Sequence, residues 1–274
     1  MLNWKGRGPY MQNFFSSPRL FPPMTKGILS VLLWGSLFFA LAPGIFQALG
    51  WPSPLALFGI HALTITDSSW WQLLTYGWTA PYSGGLSFTF FFTLLVDLFF
   101  IGQICSMIER RLGPKSLLFL WLGGLVVGGL CGALYAWMGW PSHEFLLLGN
   151  RAGSGALIVT WMMIFSDTPV LFFLAPMRVK WLAIALLALE WLPALERGHF
   201  LALSANLGGA LLAYVSSLIL WNLNSPFRSL WPFEQVLQKF GGMIRRLRQR
   251  SSQRHPRTAH AVIIDFRTGK EVQR

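Results

Sequence analysis

Charge is what this chain has least of. Only 12% of its 274 residues are charged, half of the roughly 25% found in soluble domains. Acids are scarcer still, with 10 Asp+Glu against 22 Lys+Arg. An ordinary soluble domain is excluded on that ground, because 54% hydrophobic residues, among them 23 Phe and 14 Trp, need lipid as their main solvent. Cysteine is nearly absent. Cys105 and Cys131 lie inside apolar runs with no third or fourth partner, so neither a disulfide scaffold nor a metal site is expected, and both read as packing residues. The sequence also lacks a Gly-rich phosphate loop, a haem motif and tandem repeats, and no cofactor is expected. A transporter built of two related halves is disfavoured, since no pair of broken helices stands in corresponding positions.

What is present is a series of apolar runs. A helix needs about 20 mostly apolar residues to cross a bilayer, and six such runs are read at 27–49, 86–108, 116–138, 153–166, 181–195 and 200–221. The fourth and fifth are short, so helix is expected to extend to Phe173 and to begin again at Ala175. The chain thus divides into an N-terminal segment, 1–26, a membrane domain, 27–221, and a tail, 222–274. Basic residues mark the cytoplasmic side. With the N-terminus inside, 20 of the 22 Lys and Arg fall there, and only Arg151 and Arg197 fall outside. Both termini are then cytoplasmic, and a bacterial inner membrane is the expected location.

Ala40-Leu41-Ala42 has the small-x-small form of a signal-peptide cleavage site. Pro43 after it and the long stretch before Lys26 argue against cleavage, and Pro43-Gly44 reads more simply as the end of the first helix. The following outer loop, 43–85, contains no Lys or Arg but holds Trp51, Trp70, Trp71, Tyr76, Trp78 and Tyr82. Such rings favour the membrane interface, so the loop is expected to lie partly in the outer surface.

Arg151-Ala152-Gly153-Ser154-Gly155-Ala156 opens the fourth run, and small neighbours are expected to leave the Ser154 hydroxyl uncovered as a candidate nucleophile. Small residues of this kind also serve close helix packing alone. Three other segments stand in order around it: Trp71-Gln72-Leu73-Leu74-Thr75, Glu109-Arg110-Arg111-Leu112-Gly113, and Ala205-Asn206-Leu207-Gly208-Gly209 with Ala213 beyond. In this order, over roughly residues 29–220, the chain resembles the rhomboid intramembrane serine proteases. The resemblance implies an all-α membrane bundle of six transmembrane helices, with Ser154 in the nucleophile position.

The departures from that family fall on the chemistry. The resemblance implies a histidine on the sixth helix as the base for the serine, and Asn206 occupies that position. An amide can orient a hydroxyl but takes no proton near neutral pH, so proteolysis is expected to be lost. The family's oxyanion pair on the second helix aligns with Thr93 and Asp97, and a carboxylate there would repel an oxyanion. The first Gly of the family's Gly-x-Ser-Gly is Ala152. Of the five histidines, His255 and His260 lie on the tail, His61 and His143 in outer loops, and His199 seven residues before Asn206. Seven residues span about 10 Å of helix, too far for a direct dyad.

Asp97 and Glu190 are the acids expected inside the membrane domain, where an ionisable group faces protein or a water-filled cavity. Turned inward together, they would form a polar pocket able to recognise a polar or basic group in a client's transmembrane segment. Asp167 reads as a helix-end residue near Arg178 and Lys180, and Glu109 as paired with Arg110 and Arg111. Gly123, Gly124, Gly128, Gly129 and Gly132, and Gly209 with Ala213, are assigned to close helix crossing. The tail is a separate basic segment, with eleven Lys+Arg against Glu234, Asp265 and Glu271. Its juxtamembrane place favours anionic lipids over nucleic acid. Residues 261–266 read as a strand followed by a turn, suited to adding to a partner's sheet edge.

Overall fold

A computed structural model describes residues 21–51, 54–60, 69–78, 86–139, 147–172, 175–227, 230–253, 263–264 and 271–272. The order is α1 Pro23–Ala48, α2 Pro54–Phe58, α3 Gln72–Thr75 continued by a 3-10 turn Tyr76–Trp78, α4 Phe88–Leu112, α5 Pro114–Trp137, α6 Arg151–Phe165, β1 Pro169–Phe172, β2 Ala175–Arg178, α7 Val179–Glu196, α8 Phe200–Leu220, α9 Trp231–Gln253, β3 Ile263–Ile264 and β4 Glu271–Val272. The protein is mostly helical. Four helices, α1, α4, α5 and α8, are long and apolar enough to cross a bilayer, which marks an integral membrane protein.

Local sequence explains where these helices begin and end. Ser87 opens α4 by accepting a hydrogen bond from the Phe90 amide at 3.1 Å. Between α4 and α5 stands Gly113 at φ +87°, a conformation L side chains rarely adopt, followed by Pro114 in the first turn of α5. The chain therefore stops one helix and starts the next within a single residue.

α6 is the centre of the bundle. Every residue from Ala152 to Met163 is buried, while α5 and α8 pack along it and along each other, and α4 and α7 flank it. Small residues make this approach feasible. A side chain at Gly128 would strike the Ala152 methyl and come within 2.6 Å of the Ala205 carbonyl oxygen, and one at Gly124 would come within 2.7 Å of the Ala156 methyl. One at Gly209 would run into the Ala152 carbonyl oxygen. The glycine runs of the third and sixth apolar stretches thus serve backbone approach.

The structure corrects several expectations. Pro43 does not end the first helix, which continues through it to Ala48. A proline inside a helix removes one hydrogen bond, but its φ is already helical, and the apolar residues beyond it continue the helix in hydrocarbon. The connection from the fourth to the fifth apolar run is not helix but an antiparallel hairpin, with Pro169 opposite Arg178 and Phe172 opposite Ala175. Pro169 and Pro176 lack the amide hydrogens a helix needs. The hairpin is tied at its base by Val179 N–H to the Thr168 carbonyl (3.1 Å) and Lys180 N–H to the Ser166 carbonyl (3.2 Å). Asp167 lies beside it, 3.1 Å from Lys180 Nζ and 3.7 Å from Arg178. The Lys180 hydrogen bond and charge, with Arg178 behind them, hold this exposed carboxyl below the usual carboxylate range.

Tyr76 is not an interfacial ring. It is 1% exposed and donates its hydroxyl to the Leu125 carbonyl at 2.9 Å, because the α3 turn folds inward onto α5. Trp51, Trp70, Trp71 and Trp78 of the same loop are exposed, and Tyr82 lies outside the described residues. Glu109 is not paired with its arginine neighbours. Its buried carboxylate accepts from Met24 N–H (3.2 Å), Thr25 N–H (2.8 Å) and the Thr25 hydroxyl (2.7 Å), capping α1 from the far end of α4. In the tail, β3 pairs antiparallel with β4, Ile263 opposite Val272 and Ile264 opposite Glu271.

Candidate functional site

The start of α6 is held by side chains of two elements. Asn150 accepts from Trp121 Nε1 at 2.8 Å, and its carbonyl accepts the Ser154 amide at 2.8 Å. Gly153 is compressed against this pair, since a side chain there would come within 2.6 Å of Asn150 Oδ1 and 2.9 Å of the Trp121 ring. Ser154 follows at a fixed place and direction.

Its hydroxyl is not uncovered, as the small neighbours led one to expect. Ser154 is 8% exposed, because α7 lays Glu190 over it. Ser154 Oγ lies 3.0 Å from Glu190 Oε1 and 3.0 Å from the Arg151 carbonyl, and its single proton serves one acceptor at a time. Arg151 and Asp97 both lie within electrostatic reach of Glu190, and Arg151 also acts on Asp97. A hydrogen bond thus joins Ser154 of α6 to Glu190 of α7, with Asp97 of α4 and Arg151 of α6 in longer electrostatic range. Two acids stand against one cation. The cluster suits a polar or basic group better than an anion.

Asn206, on α8, is 1% exposed and sits across from the same turn of α6, where a side chain at Gly155 would be 3.8 Å from its carbonyl oxygen. Among the described residues its Nδ2 finds no acceptor, and neither does Trp191 Nε1 beside Glu190, while Glu190 Oε2 finds no donor. Buried groups left in this state cost about 1–3 kcal/mol each. Of these groups, Glu190 is the one hydrogen-bonded to Ser154.

The other residues of the sequence reading lie apart from this cluster. Thr93 is exposed, one turn before half-buried Asp97. His199 stands at the residue before α8, about two turns from Asn206, and the other four histidines fall outside the described residues. The Trp71–Thr75 segment holds the loop together. Trp71 Nε1 and Gln72 Nε2 donate to the Leu57 carbonyl at 3.1 and 3.3 Å, and Thr75 Oγ1 donates to the Phe58 carbonyl at 3.1 Å.

On either side of the cluster, α4 and α7 each pack on α6 but share no extended packing with one another. Their outer faces expose Phe91, Phe92, Leu95 and Phe99 on one side and Leu189 and Leu192 on the other. The Ser154–Glu190 hydrogen bond was not readable in the sequence, since nothing in a spacing of 36 residues fixes the facing of two helices. Among the described residues no group of three His, Cys, Asp or Glu could hold a metal ion. No protein-family model matches this chain, and no curated protein matches it.

Proposed function

We propose that this chain is a rhomboid-like integral membrane protein, with six spans and both termini in the cytoplasm, that binds transmembrane segments of client proteins without cleaving them. Support for the architecture comes from four motifs in family order and from the 20-to-2 partition of basic residues. The observation that carries the function is the Ser154–Glu190 hydrogen bond with Asp97 and Arg151 in electrostatic range and Glu190 Oε2 left without a donor, between two helices that do not close on each other. A client helix entering between α4 and α7 would offer a polar or basic side chain, or an unwound peptide group, to those partners. Asn206 in the place of a base keeps the encounter from becoming hydrolysis.

The test is capture of single-span reporter segments by the full-length protein in nanodiscs, with and without a central Lys or Asn. Asp97→Leu and Glu190→Leu should change which segments are retained, while Asn206→Ala leaves retention largely intact. Unchanged selection in both Leu variants would remove the polar cluster from the argument.

One observation favours a second reading. Ser154 Oγ donates to a carboxylate at 3.0 Å, the geometry of a nucleophile with its general base. On this reading the chain is an intramembrane serine endopeptidase in which Glu190 replaces the missing histidine. A fluorophosphonate probe distinguishes the two. Labelling abolished by Ser154→Ala and by Glu190→Gln supports the peptidase; no labelling of the native protein, with labelling in Asn206→His, supports the binding protein.

A further inference from the structure

Past the last long apolar helix, the chain does not leave the bundle. Beyond α8, α9 lies beside its final turns. Buried Glu234 accepts from the Tyr214 hydroxyl at 2.6 Å and from Ser225 N–H at 3.1 Å, and Gln238 Nε2 donates to Asn224 Oδ1 at 2.7 Å. One helical turn beyond Gln238, Gly241 lies so close that a side chain there would be 2.6 Å from the Ile219 carbonyl oxygen. Glu234 meeting Tyr214 and Gly241 meeting Ile219 fix the direction. α9 descends alongside the final turns of α8 in the same sense, at the depth where α8 is still an apolar helix.

The two faces of α9 differ. Glu234, Leu237 and Gly241 turn to the protein, whereas Phe233, Val236, Phe240 and Met243 are exposed at helical spacing along one stripe, with exposed Lys239 at its border. α8 itself exposes Leu207, Leu211 and Leu220. In sequence the helix then becomes basic, with Arg245, Arg246, Arg248 and Arg250 in its last turns.

We infer that α9 is an interfacial helix, inserted by its Phe233–Met243 stripe into the acyl region of the leaflet at the end of α8, with its arginine-rich turns on anionic phospholipid headgroups. The direction set by Tyr214 and Ile219 places the stripe level with lipid, and the change from aromatic to arginine along the helix matches the change from acyl chains to headgroups. The inference is independent of what the polar cluster binds.

The experiment uses the full chain in nanodiscs of phosphatidylcholine, with or without phosphatidylglycerol. Nitroxide labels are placed one at a time at Phe233, Val236 and Phe240 and, on the polar border of the stripe, at Gln235 and Lys239, in a background lacking Cys105 and Cys131. These positions are all exposed, so labelling leaves the fold undisturbed, and native thermal unfolding of each labelled protein verifies this. Labels at 233, 236 and 240 should show an oxygen-to-nickel collision ratio several-fold higher than those at 235 and 239. That contrast should shrink when phosphatidylglycerol is left out or when Arg245, Arg246, Arg248 and Arg250 are changed together to Gln. Equal access of the aqueous nickel complex to all five positions would overturn the inference. So would dipolar broadening at 233, 236 and 240 that disappears on dilution with unlabelled protein, which would show a second copy on the stripe in place of lipid.

Discussion

Changing Glu109 tests how α1 is attached to the rest of the molecule. One carboxylate near the end of α4 takes three hydrogen bonds from the first turn of α1, two of them on Oε2 and one on Oε1. Each hydrogen bond to a charged group contributes about 1.5–3 kcal/mol, and the first-turn amides are the unsatisfied donors of a helix start, whose capping is typically worth about 1 kcal/mol. In Glu109→Leu all three donors lose their acceptor inside the protein. Some recover water, so the expected loss is about 3–5 kcal/mol, in the range for breaking one side of a buried charged contact. Glu109→Gln keeps one oxygen and the shape of the side chain but sets an NH2 group against a donor, for an expected loss of about 1–2 kcal/mol. Equilibrium unfolding in mixed micelles measures both. Thr25→Val in the same series should couple to Glu109→Gln by roughly 1 kcal/mol, because it removes the hydroxyl bond to Oε2 while leaving the Thr25 amide bond in place. Losses within about 0.5 kcal/mol for both Glu109 variants, the scale of ordinary surface changes, would refute the capping argument. If Arg110 or Arg111 were the real partner, neutralising those residues would be as damaging as changing Glu109.

Gly209→Val should cost several kcal/mol or abolish folding, as its side chain meets the Ala152 backbone, whereas Gly242→Ala on α9, where a side chain meets nothing within 4 Å, should be neutral or stabilising by up to about 1 kcal/mol; thermal unfolding in detergent compares them. Tyr76→Phe removes the hydrogen bond to the Leu125 carbonyl and should cost about 1 kcal/mol, read by the same unfolding assay. Asp167 has its pKa lowered on folding by Lys180, so the sign is fixed: its stabilising contribution is present above the unfolded carboxylate range and is lost as pH falls through the folded value. The difference between native protein and Asp167→Asn should therefore fade under strong acid and under high salt, and a difference that grew in acid would contradict the assignment.

The elements legible in the sequence were those that a period or a composition defines. Long apolar runs gave α1, α4, α5 and α8 nearly to their ends, and the glycines of α5 pointed to close crossing before their neighbours were known. What was not legible depended on partners far away in the chain. Glu109 stands next to two arginines, and only the return of α1 84 residues earlier gives it better donors. Tyr76 has the neighbours of an interfacial ring but is carried inward by the turn it occupies. The repeat of Phe233, Leu237, Phe240, Ile244 and Leu247 carries the helical period of α9, but it lies among eleven basic residues that dominate the composition of the tail. Ser154 and Glu190 each stood out in the sequence, for separate reasons, whereas the hydrogen bond joining them arises from the packing of α7 on α6.

The length of α6 has a physical consequence for the bilayer around it. Fifteen residues make a rod of about 22 Å, against a hydrocarbon thickness of about 30 Å. Neighbours of 24 and 25 residues ring it on two sides, so lipid need not thin to meet it; the shortfall is taken up within the protein. With its last turn level with the Asp167–Lys180 hairpin, the first turn of α6 begins some 8 Å below the opposite surface. The space over that first turn is filled by the chain itself: Ile60 pairs with Leu147, and Gly149 N–H donates to the Tyr76 carbonyl. Half-buried Arg151 therefore has protein rather than acyl chains beside it at a level where a lipid-exposed helix would meet only lipid.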